Sequence, residues 1–262
     1  MRIFVISLEG HRRREKMTMS LAALGIDFEF FDAVDGSNLT TQHKNLIDIE
    51  GTLKNIPSGM SDTEYACALS HALLYKKIVS EEIDNAIILE DDVLVTAGLK
   101  EMIDAHVLDR SKFDLVMLCY LNAWSKKYSF KSFFKMYRSF ALWNVPLRTA
   151  GYYINQKAAG NLNKAAIPIS STADWPLGAF EELSAVCITP QIVVHPCLLE
   201  EESTLEHERK ARRLAYKASR RSESFLSKYK RKILFLFFVP KNNNEKLPRF
   251  WLNLLGSKVI GQ

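Results

Sequence analysis

An α/β fold, a mostly parallel sheet flanked by helices, is predicted by three features of the 262-residue chain: short apolar runs rich in β-branched residues, helix-spaced segments between them, and a strand–helix–strand order. That order at this spacing is the signature of parallel strands joined by crossovers. With 47% hydrophobic and 25% charged residues the chain can bury a sizeable core, which excludes global disorder.

Ile3 to Leu8 reads as the first strand. Met17, Leu21 and Leu24 then recur at helical spacing up to Gly25, a C-terminal cap. Asp27 to Val34 alternates as a second strand, and Asp35-Gly36 turns the chain. Ser37 to Met60 is polar and reads as a loop or lid. A helix is predicted from Asp62, its cap, to Val79, with Tyr65, Leu69, Ala72 and Leu73 as its apolar face. Strands follow at Ala86 to Leu89 and Phe113 to Leu121. The aromatic- and lysine-rich stretch from Trp124 to Trp143 fits no element by pattern and could cover a site. Arg148 to Ile154 reads as a strand, the next eleven residues as a helix, and Glu182 to Thr189 as a helix end running into a last strand.

Two domains are expected, residues 1–200 and a helical C-terminal extension, 201–262. The net charge is +5, yet Arg209 to Lys232 holds eleven Lys or Arg against one acid, Glu223, so the remainder is acidic. Such asymmetry suits a tail that meets an anionic surface. As a helix it would set Arg212, Arg213, Lys230 and Arg231 against Leu226, Tyr229, Ile233, Phe235 and Phe238, a pattern for a bilayer interface. A solvated helix is the plainer reading; nucleic-acid binding lacks any accompanying motif and is not expected. Cys67, Cys119, Cys187 and Cys197 have no CxxC spacing and read as reduced core thiols, which favours the cytoplasm. The N-terminus is too short for a signal peptide, and Ile233 to Val239 is far below the roughly 18 residues of a membrane span.

In "AIILEDDVLV" an apolar run stops at Glu90, Asp91 and Asp92. Carboxylates at a strand end can converge on a hard divalent cation that keeps waters and phosphates as its other ligands. If the strand continues, Glu90 and Asp92 share a side and form the clamp, with Asp92 the direct ligand and Asp91 left to the nucleotide's ribose or a water. On the triplet alone a solvated acidic loop is the plainer reading. Ser70-His71 on the preceding helix, and Asp32 and Asp35 after the second strand, could gather at the same edge. His71 also fits a structural histidine.

Five stretches, "IFVISLEGHRRREKM", "FEFFDAVDG", "EYACALSHALLYKKIV", "AIILEDDVLV" and "TAGYYINQKAAGNL", together resemble glycosyltransferase family 25, which includes lipooligosaccharide transferases and collagen galactosyltransferases. The resemblance covers about Arg2 to Pro196. Where the family usually has Gly-Glu-Ile-Gly-Cys this chain has "TEYAC", keeping Glu64, Cys67, Ser70 and His71.

The resemblance implies a GT-A-like, Rossmann-like fold and an inverting transfer of a hexose, galactose or glucose, from a UDP-sugar to a lipid-linked oligosaccharide acceptor. Glu90 and Asp92 would hold Mn²⁺ or Mg²⁺, the ion offsetting charge on the departing UDP. Asp174 is the candidate base for the acceptor hydroxyl and His71 a second catalytic candidate; Asp174 would otherwise cap a helix near Pro176. Arg12 and Arg13 would reach uracil or phosphates, or form a solvated helix start. Ser70, Asp32, Asp35 and Asp91 are the other donor-side candidates, and Trp175 and Tyr152 the acceptor-side ones. The expected location is the inner face of the cytoplasmic membrane. A sugar-nucleotide or glycan binding module without turnover, and a basic-tailed nucleic-acid adaptor, are the competing classes.

Overall fold

A computed structural model describes residues 1–176, 178, 180, 182–196, 211, 212 and 214. Of the extension only residues 211, 212 and 214, all helical, are described; the rest of the expected helix, with Arg213, Lys230 and Arg231, lies outside the described residues, as does Cys197.

The chain alternates as read in its first half: β1 (Arg2–Ser7), α1 (Arg13–Ala23), β2 (Glu29–Asp32), then α4 (Asp62–Ser80) and β3 (Asn85–Glu90) after two short helices, α2 (Thr41–Lys44) and α3 (Ile49–Asn55). The stretch expected as a lid is therefore partly helical. Thr40 and Asp48 start its two helices by accepting backbone N–H groups of His43 and Gly51, which a reading of overall polarity overlooks. Gly25, at φ +63°, ends α1 in the left-handed region, as expected.

Helix α4 is capped by Ser61 rather than Asp62. The Ser61 hydroxyl accepts the Glu64 N–H, and the Glu64 carboxylate accepts the Ser61 N–H at 2.9 Å, a reciprocal capping box. Leu74, with Tyr75 and Ile78, faces the core in place of Leu73.

After β3 come β4 (Leu94–Val95), α5 (Ala97–Asp104), β5 (Leu115–Met117), β6 (Lys131–Phe134), β7 (Tyr137–Ala141), β8 (Gly151–Asn155), α6 (Gln156–Ala166), β9 (Ala185–Thr189) and β10 (Val193–Val194). The main sheet has eight strands in the order β2-β1-β3-β8-β5-β9-β7-β6, and β10 pairs with β4 separately. Only β8 and β7 run against the other six, but both lie inside the sheet, so β3–β8, β5–β8, β7–β9 and β6–β7 are antiparallel pairings. The stretch from Trp124 to Trp143 supplies the β6–β7 hairpin at the sheet edge.

Both faces of the central strands are covered, so these strands are apolar throughout rather than alternating. Ile3, Val5, Ile87 and Leu89 pack on one side with Met17, Leu21, Leu99 and Met102 of α1 and α5. Phe4, Ile6, Ala86 and Ile88 pack on the other with Leu74, Ile78, Ala158 and Leu162 of α4 and α6. Neighbouring residues in one strand thus serve opposite layers, as the two-residue period of a strand requires.

Candidate active site

The parallel strands β1, β2 and β3 end together at one edge with Ser7, Asp32 and Glu90. The carboxyl edge of such a sheet is where α/β folds place ligands. Strand β3 stops at Glu90, and Asp91 and Asp92 form a turn before Leu94. The directions of the three carboxylates are therefore set by a turn, not by strand alternation.

Asp91 turns toward β1, where its Oδ2 accepts the Ser7 hydroxyl at 2.6 Å and its Oδ1 lies 3.3 Å from Arg13 Nη1. Glu90 and Asp92 turn instead toward His195, just past β10, and one ligand atom from each of the three residues lies within 4.8 Å of the others. His195 Nε2 stands 3.3 Å from Asp92 Oδ2, and Arg13 Nη1 is 3.8 Å from the same oxygen. Burial pushes the Asp92 carboxyl upward, but the His195 hydrogen bond and the charges of His195, Arg13 and Arg148 outweigh it and hold the group below its ordinary value. Its other oxygen, Oδ1, is buried without a hydrogen-bond partner. A buried carboxylate oxygen left in this state costs about 1–3 kcal/mol unless something coordinates it. Two carboxylates and an imidazole suit a divalent transition ion such as Mn²⁺, and the imidazole makes the set less typical of Mg²⁺.

Glu90 Oε1 is held at 3.2 Å by His71 Nε2, and His71 Nδ1 meets the Tyr152 hydroxyl at 2.7 Å. His71 is 2% exposed, with its ring held between Glu90 and Tyr152. Tyr152 is fully buried, with its hydroxyl also 2.9 Å from that of Tyr75. Trp175 packs edge-on against Tyr152 at 5.1 Å between ring centres and is itself buried. Tyr152 and Trp175, expected on the acceptor side, are core residues here because the strand and the chain beside it turn both rings inward.

Ser70 is corrected in the same way: its buried hydroxyl donates to Ala66 O at 2.7 Å and accepts the Val34 N–H at 2.9 Å. Asp35 is exposed and caps the turn after β2 by accepting the backbone N–H and hydroxyl of Ser37, bonds that lower its pKa. Asp32 is paired with Arg14, whose guanidinium also donates to Ser7 O at 2.8 Å and lies over the Phe30 ring. Arg12 is exposed at the start of α1, and Arg13 and Arg14 supply the positive charge at the edge.

Asp174 Oδ1 accepts the backbone N–H of Arg148 at 2.8 Å. Arg148 has φ +86°, a conformation costly for a residue with a side chain, so this bond steadies the position from which its charge reaches Asp92. Arg212 donates to Gly59 O at 3.0 Å and to the buried Glu64. It is thus tied to the start of α4. His195 and Arg148 were missed by sequence reasoning: neither stands beside the acidic triplet in sequence, and only the fold brings them to Asp92.

A family model described as glycosyltransferase family 25 (LPS biosynthesis protein) matches residues 1–175. A putative glycosyltransferase of Haemophilus influenzae is 28% identical over 87% of this chain and 82% of its own length. A lacto-N-neotetraose biosynthesis glycosyltransferase of Neisseria meningitidis is 32% identical over 42% of this chain and 39% of its own. Human procollagen galactosyltransferase 2 is 31% identical over 35% of this chain and 15% of its own, so the chain spans well under half the length of these last two relatives.

Proposed function

The chain belongs to glycosyltransferase family 25, and we propose that it moves a hexose from a UDP-sugar to a hydroxyl of a lipooligosaccharide or lipopolysaccharide acceptor, with inversion. Galactose is the first choice of sugar and glucose the second. The observation that carries this reading is the convergence of Glu90, Asp92 and His195 at the carboxyl edge of the sheet, with Asp92 Oδ1 unsatisfied and arginines beside it. The acceptor class rests on the family's description, and galactose on the procollagen relative.

Glu90, Asp92 and His195 would hold Mn²⁺, which supplies Lewis-acid stabilisation of the leaving diphosphate when bound. His71 fixes the rotamer of Glu90, with its remaining nitrogen anchored on Tyr152. Arg13 and Arg148 keep Asp92 ionised and offer positive charge to phosphates. Asp91 is left for the ribose, and Asp174 for the proton of the acceptor hydroxyl.

The lipid-linked acceptor is served by a cytoplasmic enzyme resting on the inner membrane face. Among the described residues no helix is long and apolar enough to cross a membrane. Residues 122–148, with six Lys or Arg and no acid, support a surface contact. Trp143, Val145 and Leu147 alternate outward along that stretch at 47, 51 and 44% exposure, ending beside Arg148. Exposed aromatic and aliphatic groups among cations match an anionic bilayer interface. Residues 201–262 would add a second basic contact. The direct experiment is a screen of UDP-galactose, UDP-glucose and UDP-N-acetylhexosamines with a truncated glycolipid acceptor and Mn²⁺.

A further inference from the structure

Glu90 belongs to two ligand sets. One is the oxygen-rich set with Asp92 and His195; the other joins it to Cys67 and His71 on α4, again with one ligand atom from each within 4.8 Å of the others. We propose that Cys67, His71 and Glu90 form a second cation site, selective for thiophilic ions of the Zn²⁺, Co²⁺ and Cd²⁺ kind, whose occupation withdraws Glu90 from the first.

Cys67 and His71 are four residues apart and so lie one above the other on the same helical face. His71 Nε2 and Glu90 Oε1 are already 3.2 Å apart. A tetrahedral zinc with nitrogen and oxygen ligands at about 2.0–2.1 Å holds such atoms about 3.3 Å apart, so little movement is needed. A thiolate, an imidazole and a carboxylate, completed by water, are a borderline-soft donor set, unlike the two carboxylates and one imidazole next to it.

The support behind His71 is of the kind metal-binding histidines have. Its Nδ1 faces the Tyr152 hydroxyl, which in turn meets Tyr75. Both are phenols, protonated and neutral near pH 7. Two adjacent hydroxyls can reverse their donor direction together. With Tyr152 donating to Nδ1, Nε2 keeps its hydrogen and gives it to Glu90; with Tyr152 donating to Tyr75, Nδ1 carries the hydrogen and Nε2 has a lone pair for an ion. Cys67 is partly exposed, unlike Cys119 and Cys187, so an ion has access, and the thiol proton leaves to solvent on binding.

Glu90 is common to both sets, and by this proposal an ion held with Cys67 and His71 takes its carboxylate from Mn²⁺, so the two ions weaken each other's binding by the same factor. This inference rests on the proposed use of Glu90, but its test reads binding and not transfer. Full-length protein titrated with Co²⁺ should develop a near-ultraviolet thiolate-to-cobalt charge-transfer band. Cys67→Ser should abolish the band and weaken Co²⁺ binding at least about tenfold, a loss typical of a damaged metal site. Asp92→Ala should keep the band, and excess Mn²⁺ should raise the Co²⁺ concentration needed to reach it. A wild-type protein without the band, a band that persists in Cys67→Ser, or Co²⁺ binding indifferent to Mn²⁺ overturns the proposal. A protein that shows the band but transfers no sugar would remove the transferase reading and leave this site standing.

Discussion

His195 Nε2 lies 3.3 Å from Asp92 Oδ2, although the two residues are over a hundred positions apart. The contact joins the turn after β3 to the end of β10, and β10 is itself paired with β4, the strand that follows the turn. A short two-stranded ladder therefore fixes the imidazole opposite the carboxylates. Replacing it by His195→Ala should weaken Mn²⁺ binding at least about tenfold, since even losing an outer partner of a ligand costs that much. Titration calorimetry with Mn²⁺ checks this; unchanged affinity would take His195 out of the ligand set.

Asp174 has two assignable jobs, and one variant separates them. If the carboxylate takes the acceptor proton, Asp174→Asn should lower kcat by about 10²–10⁴ while leaving UDP affinity intact. If its work is only to hold Arg148 through the 2.8 Å bond to the backbone N–H, Asp174→Asn, whose amide oxygen still accepts that bond, should leave kcat and UDP affinity little changed, and Asp174→Ala should lower both together with Mn²⁺ affinity. We expect the first pattern from side-by-side kinetics and UDP binding.

Asp114 gives the fold a dependence on acid. Its carboxylate accepts from Asn155 Nδ2 at 3.0 Å, Lys157 Nζ at 2.8 Å and the Ser184 N–H at 3.0 Å, tying β5 to the start of α6 and the approach to β9. Burial pushes its pKa up, and these donors more than offset that, leaving it below the ordinary value. A carboxyl whose folded pKa is depressed stabilises fully above its unfolded value of about 3.9 and loses that contribution as pH falls through the folded value. Asp114→Asn should thus cost about 1–3 kcal/mol in urea unfolding at pH 7. The gap from wild type should narrow below about pH 4.

The outward stripe between β7 and β8 makes the membrane proposal specific. Changing Trp143, Val145 and Leu147 together to Ser should reduce sedimentation with phosphatidylglycerol-rich vesicles at least about tenfold, because partial burial of three such side chains is worth well over 1.4 kcal/mol. Binding to neutral phosphatidylcholine vesicles should be weak for both proteins. Equal binding of variant and wild type to the anionic vesicles would shift the contact elsewhere.

The first half of the fold was legible because its strands and helices are consecutive and each satisfies a local rule, from the apolar run of β1 to Gly25 after α1. Beyond β5 the order in space departs from the order in sequence. Strand β8 inserts between β3 and β5, and the aromatic stretch around Tyr137 becomes an edge hairpin, outcomes fixed by long-range pairing that no local pattern contains. The site divides along the same line. Glu90 and Asp92 stand out as acids interrupting an apolar run, whereas His195 and Arg148 are single polar residues in ordinary surroundings. Trp175 beside Asp174, and Tyr152 after Gly151, suit both a sugar platform and a core by pattern alone, and here burial decides for the core.

The central claim is that Asp92 lies at the metal end of a sugar-nucleotide site, and UDP binding with and without Mn²⁺, compared between wild type and Asp92→Ala, tests it most directly. The account predicts that Mn²⁺ strengthens UDP binding to the wild type and that Asp92→Ala abolishes this gain together with transfer from the UDP-hexose panel. UDP bound equally by both proteins, with no member of the panel hydrolysed or transferred by the wild type, would contradict it.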